Sequence, residues 1–287
     1  GGGKVAQYFV SLGYMNELGL FKTDAANAYN TNTDYSRYML SSKVNINITD
    51  ELKASVTAIA RVMEGNQPGG SGTGYSDLLN AIFMTPNNAY PIKNPDGSWG
   101  GNQSFQNNLY SQTMESGYIS DNTRDVMATV KLNYDFNKLL KGLSASFSGS
   151  VAAQNRTAII RTKQNPVFSY RLDDNEKTTY TRFGNSDPQH NDFRNVSSYQ
   201  NLYGQLALNY DRSFGLHNLK LNLLGDTRHE IADYDLPMIP SNIMQSAAYN
   251  YDQKYFAELK LTESYFNRYA PENRWGTFWA GGLGWNI

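Results

Sequence analysis

Tyr38-Met39-Leu40-Ser41-Ser42-Lys43-Val44-Asn45-Ile46-Asn47-Ile48-Thr49 decides the fold. Tyr38, Leu40, Val44, Ile46 and Ile48 fall on one side of an extended chain, interrupted only by Ser42. Met39, Ser41, Lys43, Asn45, Asn47 and Thr49 fall on the other. A period of two gives a strand one apolar face and one wet face.

The same alternation recurs along the chain. Upstream, Ala6, Tyr8, Val10, Leu12 and Tyr14 form the apolar face of a strand over about 5–14. After a tight turn at Asp50-Glu51, Leu52, Ala54, Val56, Ala58, Ala60 and Val62 oppose Lys53, Ser55, Thr57 and Arg61. Over 123–136, Val126, Ala128, Val130, Leu132, Tyr134 and Phe136 alternate with Asp125, Met127, Thr129, Lys131, Asn133 and Asp135. Further strands are expected near 143–154, 199–212, 219–223, 244–251, 255–264 and 274–287, which makes ten. Most reach the roughly 9–11 residues that a tilted strand needs to cross a bilayer. Connections after even-numbered strands are tight, whereas those near 15–36, 64–122, 156–198, 232–243 and 265–273 are long. Short turns on one side and long loops on the other are the habit of outer-membrane barrels, with the short turns periplasmic. The expected fold class is all-β: an antiparallel, up-and-down transmembrane β-barrel segment with long extracellular loops and one short loop helix. Both chain ends then lie on the periplasmic side.

Composition agrees. The 287 residues have a formal net charge of -1 and no cysteine. This leaves no disulfide scaffold, no Cys-based zinc site and no basic footprint for nucleic acid. A mean hydropathy of -0.58 is too polar for a helical membrane protein, and no apolar run approaches about 18 residues. Barrel strands escape such averages because half of each faces a polar lumen. Aromatic residues make up 13%, with 21 Tyr. Tyr134, Phe136, Tyr210, Phe214, Tyr255 and Trp285 gather at the tight-turn end, and Tyr14, Trp275 and Trp279 at the other, as two interfacial belts require. The chain opens on Gly1-Gly2-Gly3-Lys4 without a signal peptide. Residues 1–287 are therefore expected to form one partial barrel domain, with no plug domain.

The long loops carry the candidate site. Pro68-Gly69-Gly70-Ser71-Gly72-Thr73-Gly74 excludes regular structure there. Over 76–84, Ser76 serves as N-cap, Leu78/Ile82 and Leu79/Phe83 pair at i,i+4, and Pro86 ends the helix. Tyr90 to Gly101 reads as successive turns. Tyr90, Trp99 and Tyr110 are the candidate substrate contacts, because aromatic faces stack on sugar rings. The competing reading packs these rings into the loop itself. Asp173-Asp174-Asn175-Glu176 lacks the alternation and central glycine of a calcium loop and reads as a solvated turn.

Catalytic and cofactor signatures are missing. His190, His217 and His229 have no ligand spacing. No Gly-x-Ser-x-Gly elbow or phosphate loop occurs. Glu258 and Glu263, the pair nearest to a glycosidase arrangement, are oddly spaced and face opposite sides of one strand. No enzyme activity and no cofactor are expected.

Arg268-Tyr269-Ala270-Pro271-Glu272-Asn273-Arg274-Trp275-Gly276-Thr277-Phe278, ending in Gly284-Trp285-Asn286-Ile287, resembles a barrel hairpin of SusC/RagA-type TonB-dependent transporters. Tyr8-Phe9-Val10-Ser11-Leu12-Gly13-Tyr14 with Gly19-Leu20-Phe21 resembles their first barrel strand. Tyr90-Pro91 and Asn94-Pro95-Asp96-Gly97-Ser98 resemble their first large extracellular loop. The resemblance implies an outer-membrane barrel of about 22 strands with an N-terminal plug. It further implies import of oligosaccharides or peptides, energised through a TonB complex, and a SusD-like surface lipoprotein as partner. It places the protein in the outer membrane of a Gram-negative, Bacteroidetes-like cell. No functional residue of that family maps one-to-one onto this chain. Two other readings stay open: a soluble surface β-protein binding carbohydrate through loop aromatics, and a small self-closed passive pore.

Overall fold

A computed structural model describes residues 1–23, 29–69, 75–233 and 235–287, with side chains in the first helix described from Leu78 onward. Ten strands form one antiparallel sheet: β1 (Ala6–Leu18), β2 (Asp34–Asn47), β3 (Leu52–Pro68), β4 (Gly117–Asp135), β5 (Leu143–Gln164), β8 (Asp187–Phe214), β9 (His217–Ala232), β10 (Pro240–Tyr251), β11 (Tyr255–Phe266) and β12 (Trp275–Trp285). Each pairs with its neighbour in chain order. A separate hairpin, β6 (Val167–Leu172) with β7 (Thr178–Phe183), fills the connection between β5 and β8. Two short helices, α1 (Tyr75–Met84) and α2 (Leu109–Met114), lie in the connection between β3 and β4.

Register fuses the ten amphipathic strands into one two-faced wall. Leu12 pairs with Leu40, Leu40 with Ala60, Ala60 with Val126 and Val126 with Ala153. Phe147 pairs with Leu206, Leu208 with Leu223, Leu221 with Ala247 and Ala247 with Leu259. The resulting apolar face is uncovered by protein: Leu12 is 81% exposed, Leu202 61% and Leu283 91%. A contiguous apolar surface of this extent is incompatible with a water-facing wall and suits lipid. It counts against a soluble sugar-binding sheet.

The opposite face is polar and internally bonded. Arg61 pairs with Asp125, Arg156 with Asp121 at 3.3 Å and Lys220 with Asp211 at 3.0 Å. Asn242 donates to Asp226 at 2.9 Å and accepts from Ser264 at 2.8 Å. Glu258 lies 3.8 Å from Lys260. Its register partners Ala248 and Gly282 place it on this face, whereas Glu263, opposite Ile243, is on the apolar one.

The tight turns are chemically specified. Asn137 Oδ1 accepts from Gly142 N at 2.7 Å, and Gly142 has φ +90° with a virtual Cβ 2.2 Å from Asp211 O, so no side chain fits. At the turn between β2 and β3, Lys138 bonds Glu51 and holds its carboxyl below the usual range. Aromatic contacts sit at both rims. Near the tight turns, Tyr134 packs on Phe136 at 4.5 Å and His217 on Tyr251 at 4.9 Å. At the loop end, Tyr14 meets Tyr38 and Tyr265 meets Trp275, both at 5.1 Å.

The structure corrects the boundaries of the long loops. Strands β4, β5 and β8 run well past the expected limits, so the loop over 156–198 shrinks to 165–186 and itself contains β6 and β7. Above the lipid zone, alternation is no longer needed, but ladder hydrogen bonds still reward pairing. The Asp173–Glu176 run is the tip of the β6–β7 hairpin, where Asp173 Oδ1 accepts from Asn175 N and Lys177 N. Helix α1 forms where expected, and α2 is an addition. The helix begins at Tyr75, one residue before the expected cap Ser76, whose side chain lies outside the described part, as does the run from Gly70 to Gly74. The sheet is open: β1 and β12 are its two edges and do not pair with each other. The self-closed pore is therefore not what this chain forms.

The two faces make opposite demands. Val130→Arg, on the apolar face midway between the belts, is expected to cost about 2–4 kcal/mol, and Thr129→Arg, one residue away on the polar face, far less. Denaturant titration of the protein folded in lipid vesicles checks this difference.

Candidate functional site

The loops fold inward. Ile119, Ala158 and Ile160, on the polar-face side of β4 and β5, are buried, while their outward neighbours Tyr118, Ile159 and Arg161 are not. Helix α2 touches both α1 and β3. The connections therefore cover the mouth of the polar face and leave the outer face bare below the Tyr118 row, where Tyr29 packs 5.6 Å from the Tyr118 ring.

One asparagine organises this cover. Asn108 is 1% exposed. Its Oδ1 caps α2 by accepting from Tyr110 N at 3.0 Å and Ser111 N at 3.3 Å. Its Nδ2 donates to Gly100 O at 2.8 Å and Ile92 O at 3.0 Å. The turns at 90–101 are thereby tied to the helix. Gly100 passes so close to Pro91 that a Cβ would stand 1.9 Å from Pro91 O, so the approach requires glycine. Asp96 Oδ1 accepts from Ser98 N at 3.0 Å and Ser98 Oγ at 2.6 Å, and the hydroxyl bond above all pulls the Asp96 carboxyl below its ordinary value of 3.8.

The β6–β7 hairpin docks on these turns. Phe168 N donates to Trp99 O at 2.8 Å, and Phe168 O accepts from Gly101 N at 3.1 Å and Asn94 Nδ2 at 2.9 Å. Val167 is fully buried at this junction. Glu115 Oε2 accepts from Trp99 Nε1 at 3.0 Å and from Asn165 Nδ2 at 2.9 Å, so one carboxylate holds both connections.

The three candidate aromatics separate in space. Trp99 is 8% exposed, with Lys93 Nζ 4.6 Å from its ring centroid, and serves the loop interior. Tyr90 and Tyr110 share a cleft of about 470 Å³ with Phe21, Lys22, Ile82 and Leu109. Tyr90 Oη accepts from Leu109 N at 3.2 Å, its ring lies 5.8 Å from Phe105, and burial pushes its phenol pKa up. Lys22 Nζ stands 6.0 Å from the Tyr110 ring. An apolar floor with tyrosine hydroxyls and one cation suits binding of a sugar ring or a peptide side chain. Phe21, Lys22 and Ile82 were missed in the sequence, because nothing in it brings residues 20–22 next to 82–110. Among the described residues, no group of three His, Asp or Glu side chains could hold a metal. His190 lies on β8, and His217 and His229 lie twelve residues apart on β9, with His217 Nδ1 2.6 Å from Tyr249 Oη.

An open antiparallel sheet with an apolar outer face, a polar inner face and inward-folded loops is the wall of a transmembrane β-barrel. No protein-family model matches the chain, and no curated protein matches it. Among solved structures it is similar to the RagAB peptide importer in its "closed-closed" state, at 13% identity and TM-score 0.65, covering 98% of this chain and 32% of that one. The "open-open" state of the same importer gives 12% identity and TM-score 0.62, with coverage of 98% and 32%. A further structure of the RagAB peptide transporter gives 11% and 0.59, with coverage of 99% and 32%. The chain thus spans about a third of the length of the solved chains it matches. Its fold is that of the RagA-type barrel which Tyr8–Tyr14 and Arg268–Ile287 resemble in sequence.

Two outcomes test the site. Asn108→Ala takes the side-chain donor from the Gly100 carbonyl, leaves the Ile92 carbonyl with the Gly100 N–H alone, and removes the cap of α2, a loss of about 1–3 kcal/mol. Faster amide exchange across 90–114, with the strands unchanged, is the expected reading. The Asp96 carboxyl is depressed by its folded-state bonds, so its contribution is full above the unfolded value of 3.8 and is lost as pH falls through its lower folded value. Exchange at residues 94–98 should therefore accelerate only below about pH 3.8, and Asp96→Asn should abolish that step.

Proposed function

We propose that this chain is part of the barrel wall of a TonB-dependent nutrient importer of SusC/RagA type in the outer membrane of a Gram-negative bacterium. Residues 1–287 form a partial barrel domain in this reading. The observation that carries it is the two-faced sheet: an uncovered apolar surface on one side and a bonded polar surface under folded loops on the other. Lipid takes the first and a solute path the second.

The cargo is an oligosaccharide or a peptide, and likeness to a peptide importer supports the second. Amide and hydroxyl groups along the inner face serve either, because both cargoes are dense in donors and acceptors. Tyr90 and Tyr110 are the contact residues proposed in the cleft. A surface lipoprotein of SusD type is the partner at the loop end, and a TonB complex supplies the energy.

Cells carrying the intact protein should take up labelled oligopeptides or oligosaccharides only while the TonB complex and the proton-motive force are present. Uptake that persists without either overturns the importer reading. Tyr90→Ala with Tyr110→Ala should lower uptake of the cargo about 3- to 10-fold at equal surface abundance, as loss of two aromatic contacts implies.

A further inference from the structure

Above the upper aromatic belt, the outer face of the sheet changes character. Along β4, Tyr134 stands in the lower belt and Arg124 in the same cross-strand row as Tyr14 and Tyr38. The ten residues between them span about 33 Å of strand, or about 25 Å of membrane at the usual tilt, which matches the apolar band of such barrels. Tyr118 lies six residues higher, about 15 Å above the hydrocarbon edge at the same tilt.

At that height two cations share the outward side of β5. Pairing of β4 with β5 is unbroken from Gly117/Thr162 to Asp135/Ser144, so Arg161 keeps the parity of Ala145, Phe147 and Val151 on the lipid side, and Lys163, next but one at the end of β5, lines the same cavity as Arg161. Both are half-buried, and with Tyr118, Tyr29 and Gln189 they line a cavity of about 390 Å³. No carboxylate lines it. Among the described residues, neither cation has a salt-bridge partner. Arg161 Nη1 is bonded only to the Ile160 and Asp192 carbonyls, at 2.9 and 3.5 Å. The outward carboxylate Glu64, opposite Asn122, lies about 13 Å down the strand. Arg161 and Lys163 stand two residues apart, about 7 Å along the strand backbone, and like charges on a partly dehydrated surface repel each other. A multiply charged oxyanion between them relieves that repulsion and accepts their hydrogen bonds.

We propose that this pocket binds a phosphate group on the saccharide headgroup of an outer-leaflet glycolipid. The inference rests on the membrane orientation of the proposed function. Height selects the ligand. A phospholipid headgroup layer extends about 5–8 Å beyond the hydrocarbon, short of this row, whereas a phosphorylated oligosaccharide anchored in the same leaflet reaches it. Arg124, exposed at the hydrocarbon edge, meets the lower part of the same headgroup.

The test uses the intact protein extracted from outer membranes in detergent and read by native mass spectrometry. The probes are short-chain lipopolysaccharide with phosphorylated core sugars, the same material dephosphorylated, phosphatidylglycerol and inorganic phosphate. Retention of the phosphorylated glycolipid is expected. It should fall about tenfold or more on dephosphorylation and in Arg161→Gln/Lys163→Gln, as loss of charge-assisted bonds implies. Lys43→Gln on the inner face should leave it unchanged. Equal retention of the dephosphorylated lipid, equal competition by phosphatidylglycerol or by inorganic phosphate, or indifference to the double substitution overturns the assignment. A protein that integrates in the outer membrane but shows one of these results loses only the glycolipid site. A protein released from membranes without detergent loses the membrane reading and this site together.

Discussion

Hydrocarbon offers no hydrogen bonds, and every feature of this wall follows from that. A backbone N–H or C=O left unpaired in lipid costs several kcal/mol, so strands there must pair continuously with neighbours. Nine consecutive antiparallel ladders do this, while side chains of alternating parity take the apolar and polar sides. The edges β1 and β12 carry the same requirement unmet within this sheet, which fits a wall that covers about a third of the solved chains it resembles.

The faces of the strands were legible because lipid enforces a period of two. Tyr38 to Asn47, Leu52 to Val62 and Val126 to Asp135 lie in the structure as their alternation demands, while Ile48, Thr49 and Phe136 fall in the turns beyond the strands. Legibility ended where lipid ends. From Thr157 to Gln164 and from Asp187 to Ser198, polar and apolar residues fall on both faces, so strands that persist there carry no alternation to mark them. The β6–β7 hairpin was hidden for the same reason. Helix α2 is six residues long, too short for a 3.6-residue period to show, and its one local sign was Asn108 ahead of it.

The candidate site was legible in kind more than in place. Aromatic residues in the first long loop were the right material, but one loop uses such rings for two purposes. Trp99 carries a donor that must be satisfied on burial, and Glu115 satisfies it. Tyr90 and Tyr110 keep a face on open space, beside Phe21 and Lys22 from a distant connection. Which ring goes where depends on contacts across 60 to 90 residues, and no local spacing encodes those.

The Glu115 carboxylate has a mechanical consequence. Because one oxygen grips both the Trp99 indole and the Asn165 amide, the turns after α1 and the β6–β7 hairpin are geared to each other. A displacement of the hairpin is passed to the backbone of 99–115 through that carboxylate and through the Phe168 bonds to Trp99, Gly101 and Asn94, and so to the Tyr110 side of the cleft. Whatever presses on this rim adjusts the width of the recess below it without touching either tyrosine.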